Sequence, residues 1–279
     1  MKNKKIPIFP VLLTTGNLFC GFMSLMFAVS DALKLVRYED VLRPFVLSCL
    51  LVLVAMLFDM LDGIVARITK TESSFGIEYD SLADIISFGL APAVIMYLSV
   101  LRYLGRLGLV FAALYVIFGT MRLARFNVDA HAGRRDPKYF TGLPIPAAAS
   151  VLVSYVLFSQ WADWYYVSAH KLFYDKAMGW YAENIYFFQH VAIPVIMLIL
   201  AVLMISNVKF ISLKYYLTRE KIGLVFLAAA VAVLLVLIVK PEATAFALTS
   251  LYVLSGVVGT GLNMFSNKSK IKKLKLDEK

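Results

Sequence analysis

Apolar residues run along this chain in long uninterrupted blocks, separated by short polar breaks, and they do not alternate with polar ones. A helix needs about 20 apolar residues to cross a hydrocarbon core. Eight blocks meet that length approximately, near 8–29, 43–66, 79–100, 104–124, 144–162, 187–206, 222–239 and 243–263. Membrane strands would show a two-residue alternation instead, so strands are not expected in the spans. The pattern predicts an all-α polytopic membrane protein of about eight transmembrane helices. Residues 1–265 then form a single transmembrane domain, and 266–279 form a basic tail. An even number of spans places both termini on one side.

Composition agrees with the pattern. The chain is 61% hydrophobic and only 16% charged, against about 45–50% and about 25% in soluble domains. No room is left for a separate soluble domain. The net charge of +10 comes with no nucleic-acid-binding module, so anionic lipid headgroups are its expected partner. Its distribution gives orientation. With eight spans, 20 of the 28 Lys and Arg residues fall on the side of the termini and 8 on the other. Excess Lys and Arg mark the cytoplasmic side. The termini are therefore expected in the cytoplasm, with the chain integral to the cytoplasmic (inner) membrane.

Some features carry no chemistry. Cys20 and Cys49 lie in apolar blocks without metal-type spacing. His131, His170 and His190 are isolated. Residues 163–186 are rich in Trp and Tyr and suit an amphipathic segment lying in the interface. The first block is longer than the apolar core of a signal peptide, although Ala28-Val29-Ser30 loosely resembles a cleavage site. It also holds Thr14, Thr15 and Asn17, so a retained first helix is expected. Interhelical hydrogen bonding is the simplest role for those three polar side chains.

Candidate chemistry gathers between the second and third blocks. Asp59 and Asp62 are spaced i, i+3, and Asp80 and Asp84 i, i+4. On helices each pair shares one face, with side chains about 5–6 Å apart. Carboxylates at membrane depth are costly and mark functional sites. A single Asp at a helix end could be a cap or a solvated boundary residue. Four in register call for cations, and hard divalent ions with oxygen ligands fit best, which points to a two-metal site.

The stretch resembles the signature of the CDP-alcohol phosphatidyltransferases: D-x-x-D-G-x-x-A-R, eight residues, then G-x-x-x-D-x-x-x-D. Asp59, Asp62, Gly63, Ala66, Arg67, Gly76, Asp80 and Asp84 fill every position. Arg122-x-x-Arg125-Phe126-Asn127, followed by Phe140-x-Gly142-Leu143-Pro144-x-Pro146-Ala147-Ala148, is similar to the phosphatidylserine synthase branch, as is PVLLTTGNLFCGF in the first block. The resemblance implies transfer of a phosphatidyl group from a CDP-diacylglycerol-type lipid to L-serine, releasing CMP.

It further implies two divalent cations, Mg²⁺ or Mn²⁺, on Asp59, Asp62 and Asp80. Asp84 would be the general base on the serine hydroxyl and a further metal ligand. Gly63, Ala66, Arg67, Gly76, Thr15 and Asn17 would hold the CDP-lipid. Arg125, Asn127 and Arg122 would hold serine, and the family likeness extends to a homodimer. Gly142, Pro144 and Pro146 are expected to set an irregular start to the fifth helix. Two alternatives stand beside this reading. The acceptor could be glycerol phosphate or inositol phosphate, or the carboxylates could line a divalent-cation transporter.

Overall fold

The structure is a computed structural model that describes residues 8–37, 44–69, 71, 73–133, 139–169, 191–211 and 241–277. Its elements in order are α1 (Ile8–Val36), α2 (Val46–Ile68), α3 (Ser74–Asp84), a π turn (Ile85–Leu90), α4 (Ala91–Ser99) and a 3₁₀ turn (Leu101–Leu104). There follow α5 (Arg106–His131), β1 (Tyr139–Thr141), α6 (Ile145–Ala169), α7 (Ile193–Ile205), β2 (Lys209–Ile211) and α8 (Pro241–Asp277). Five helical segments are long and apolar enough to cross a membrane: Ile8–Val36, Val46–Ile68, Ser74–Ser99, Arg106–His131 and Pro241–Gly261. Shorter apolar helices cover Ile145–Trp161 and Ile193–Ile205. The expected span at 222–239 lies outside the described residues, as do Arg134, Arg135 and most of 163–186.

Several boundaries differ from expectation by five residues or more, and three of them change the reading. The third helix starts at Ser74 rather than near 79, so Gly76 lies in its first turn and not in a loop. The cause is Ser73, an N-cap whose side chain accepts from the Gly76 amide at 3.0 Å. The fifth helix runs to Ala169, so the start of the aromatic-rich stretch prolongs it. The last helix continues through the basic tail to Asp277.

Helix α1 is the axis of the N-terminal half. It packs along α2 and also against α3, the π turn and α4. The Ser24 hydroxyl donates to the Ser48 carbonyl at 2.8 Å, and both serines are buried. Such hydrogen bonds between small residues let membrane helices approach closely. Helix α6 touches α2, the π turn, α4, α5, α7 and α8, and its Leu152, Val153 and Val156 are buried. Leu107, Leu109 and Val110 on α5 and Leu251, Leu254 and Val258 on α8 are exposed. Lipid tails cover such a surface without penalty.

The π turn has a traceable cause. Pro92 lies four residues beyond Phe88, and a proline both lacks an amide hydrogen and crowds the carbonyl at i−4. The helix widens there, with the Ala91 amide bonding to the Ile86 carbonyl. The buried Tyr115 hydroxyl on α5 donates to the Phe88 carbonyl at 3.1 Å. In a bilayer such backbone groups must find partners inside the protein.

The start of α6 is irregular, as its glycine and prolines suggested. Gly142 has φ 79°, and a Cβ there would collide with the Met204 carbonyl. Its amide donates to the Val208 carbonyl at 2.8 Å, and the Leu143 amide to the Leu203 carbonyl at 3.0 Å. Beside it, β1 and β2 form a small antiparallel pair, with Phe140 opposite Phe210. These strands lie in the connections and leave the spans helical.

Candidate functional site

A cavity of about 500 Å³ opens between the end of α2 and the start of α3, with the first turns of α1 behind it. That volume lies within the range of small-molecule sites. Seven of the eight signature residues line it: Asp59, Asp62, Gly63, Ala66, Arg67, Gly76 and Asp80. The cleft lies where α2 and α3 pack more closely on α1 than on each other. Each leans on α1, and α2 meets the same span only deeper, at the π turn and α4. The site is thus built by three helices, α2 and α3 facing each other across the cleft and α1 closing it from behind.

Carboxylate oxygens of Asp59, Asp62 and Asp80 all lie within 4.8 Å of one another. At an effective dielectric of about 20, two unit charges that close repel by about 3 kcal/mol. The ligands across an octahedral Mg²⁺ stand about 4.2 Å apart, so the oxygens are spread little wider than one coordination sphere. Asp80 Oδ1 is buried and meets no hydrogen-bond donor among the described residues. A buried acceptor without a donor, among hard oxygen donors, fits a divalent cation.

Helix α1 supplies the partners of the other carboxylates. The Thr14 hydroxyl lies 2.7 Å from Asp62 Oδ2, and both residues are buried. One turn on, the Asn17 amide donates to Asp84 Oδ1 at 3.1 Å. Asp84 is buried, lies outside the lining of the cavity, and is within electrostatic reach of Asp59, Asp80 and Asp62. Thr15 turns away from the cleft, bonding the Val11 carbonyl at 2.8 Å and the Tyr79 hydroxyl at 3.1 Å. The Arg67 Nε donates to the Gly63 carbonyl at 2.7 Å, which folds the guanidinium back along α2 at the rim.

The end of α5 reaches the same end of the bundle. Asn127 Nδ2 donates to Ser81 Oγ at 2.9 Å, one residue from Asp80. Arg125 donates to the Ile205 carbonyl at 3.2 Å and to Asn207 Oδ1 at 2.7 Å. A guanidinium suits the carbonyl end of α7, where unpaired acceptors and the helix dipole favour a cation. Arg125 has 43% side-chain exposure, whereas Arg122 is buried with its guanidinium 4.9 Å from the Phe126 ring centre. The two arginines therefore face different surroundings, although they stand one turn apart.

Sequence reasoning did not assign Thr14, Thr71 or Ser73 to the site, and all three line the cavity. The polar set on α1 was visible. Which of two adjacent threonines faces the aspartates depends on the rotation of α1, which its packing sets.

Comparison with known proteins adds a family match and three relatives. Residues 7–183 match the CDP-alcohol phosphatidyltransferase family. The chain is 36% identical over 251 residues to a CDP-diacylglycerol–serine O-phosphatidyltransferase of Helicobacter pylori (strain ATCC 700392 / 26695), covering 90% of each chain. It is 39% identical over 164 residues to the archaetidylserine synthase of Methanothermobacter thermautotrophicus, covering 56% of this chain and 62% of that one. A Bacillus subtilis CDP-diacylglycerol–serine O-phosphatidyltransferase is 32% identical over 144 residues, covering 52% of this chain and 72% of that one.

Proposed function

The chain belongs to the CDP-alcohol phosphatidyltransferase family, and from that membership we propose that it transfers a phosphatidyl group from CDP-diacylglycerol to L-serine. The convergence of Asp59, Asp62 and Asp80 on one cleft carries this reading. The relatives named for serine transfer support the acceptor. The serine hydroxyl oxygen forms a bond to the phosphatidyl phosphorus, the bond from that phosphorus to CMP breaks, and CMP leaves.

Asp59, Asp62 and Asp80 would hold the divalent cations, two Mg²⁺ or Mn²⁺, with Asp84 as the fourth carboxylate. Cations there would offset pyrophosphate charge and stabilise the charge that develops on the transferring oxygens. Gly63, Ala66, Arg67 and Gly76 form the walls against which the CDP-lipid lies. Asp84 takes the proton of the serine hydroxyl, and Asn17 holds its carboxylate in place. Arg125, already fixed by Asn207 and the Ile205 carbonyl, offers its remaining donors to the serine carboxylate. Asn127 ties this acceptor side to α3.

The cleft and both termini face the cytoplasm on this reading, supported by the excess of Lys and Arg on that side. A homodimer forms part of the reading and rests on the family likeness.

The direct test supplies purified protein with CDP-diacylglycerol, Mg²⁺ or Mn²⁺ and radiolabelled serine, with glycerol phosphate and inositol phosphate as competitors. Labelled phosphatidylserine and CMP are expected in equal amounts. Transfer to glycerol phosphate or inositol phosphate, with serine inert, would replace the acceptor assignment.

A further inference from the structure

A threonine inside a helix usually returns its hydroxyl proton to the carbonyl four residues back. Thr15 does so, donating to Val11 at 2.8 Å. Thr14 has the same option, with the Pro10 carbonyl at 3.1 Å, but Asp62 Oδ2 stands nearer, at 2.7 Å. A hydroxyl has one proton, and an ionised carboxylate is the stronger acceptor. Thr14 is 4% exposed and Asp62 6%, so water competes little for either partner.

The placement of Thr14 is rigid. At Gly21 a Cβ would come within 2.7 Å of the Ser87 Cα, so α1 lies directly on the π turn that follows Asp84. The Ser87 hydroxyl donates to the Asn17 carbonyl at 3.0 Å. On the other flank Ser24 bonds to Ser48 of α2. Helix α1 is thus fixed both to the helix that carries Asp62 and to the span that carries Asp80. Its hydroxyl is set in place before any ligand arrives.

We infer that Thr14 is a positioning residue of the metal site: its buried hydroxyl holds the Asp62 carboxylate in the orientation that brings it together with Asp59 and Asp80. This rests on the metal-dependent reading above. Partners that orient metal ligands typically alter metal affinity by roughly 10- to 100-fold when removed.

The test is Mn²⁺ binding by the full chain in lipid nanodiscs, without substrates, read from the paramagnetic resonance signal of free Mn²⁺. Thr14→Val keeps the shape and removes the donor; it should bind Mn²⁺ roughly 10- to 100-fold more weakly than wild type. Thr14→Ser keeps the donor and should bind like wild type. In an Asp62→Asn background, Thr14→Val should make no further difference. Should Thr14→Val fail to fold, Thr14→Ala removes the same hydroxyl without bulk and carries the same comparison. Wild-type affinity in the folded variant, with Asp62→Asn weakened, overturns the inference and leaves the metal reading standing. If the wild type itself binds no Mn²⁺, the metal reading falls and the inference with it.

Discussion

A buried carboxylate oxygen with no donor facing it is costly unless a cation answers it, and among the described residues Asp80 Oδ1 is in that position beside two other acids. The site therefore strains the metal-free fold. Asp80→Asn removes one charge from a cluster whose pairs each repel by about 3 kcal/mol. The variant should melt higher than wild type in chelator, gain little from Mg²⁺, and lose transfer activity by orders of magnitude. Thermal unfolding with and without Mg²⁺, beside the serine assay, checks all three. Near-normal turnover would remove Asp80 from the site. On the acceptor side, Arg125 is 43% exposed, so Arg125→Ala should weaken serine binding by up to about 1 kcal/mol, raising the serine KM about fivefold. CDP-lipid affinity should hold. Loss of CDP-lipid binding with unchanged serine dependence would move Arg125 to the donor site. The aspartates, Gly63 and Arg67 were legible as a spaced signature. Thr14 was not, because one residue along a helix is 100° around it.

Among the elements, the span from Ser74 to Ser99 shows how a local signal becomes a site feature. Pro92 displaces the bond at Phe88, the π turn absorbs the change, and Tyr115 of α5 supplies the donor. The π turn sits directly after Asp84, under Gly21 of α1, so it fixes how that carboxylate meets Asn17. Tyr115→Phe leaves the Phe88 carbonyl buried and unanswered, which costs about 1–3 kcal/mol. A lower melting temperature in detergent is expected, and an unchanged one would show that the carbonyl finds another partner. Pro92 was in view in the sequence. Its consequence was not, because a proline in a span can kink, end or widen a helix, and the donor lies 27 residues away.

At the scale of the whole molecule, one end of the bundle gathers the chemistry. Ser81 with Asn127, Arg125 with Asn207, and Lys209 with Thr260 are joined there by hydrogen bonds. This end receives the loop after α2 and the chain after α5 and α7, the breaks where Lys and Arg concentrate. Cysteines placed at Ser269 and Ser168 should then label from opposite sides, Ser269 from the cytoplasm. Labelling of both from one side would refute the sidedness drawn for α6 or α8. The sequence by itself determined the helical membrane class, the approximate position of the helices among the described residues, and the acidic signature. Each depends on composition or spacing within about 26 residues, and in a bilayer the backbone has few alternatives to helix. Tertiary structure alone decided that α1 packs against both α2 and α3 behind the cleft, that Thr14 rather than Thr15 meets Asp62, and that Arg122 and Arg125 part company. Those outcomes depend on how each helix is rotated about its axis. Rotation is set by contacts such as Gly21 on Ser87 and Ser24 on Ser48, between residues far apart in the chain.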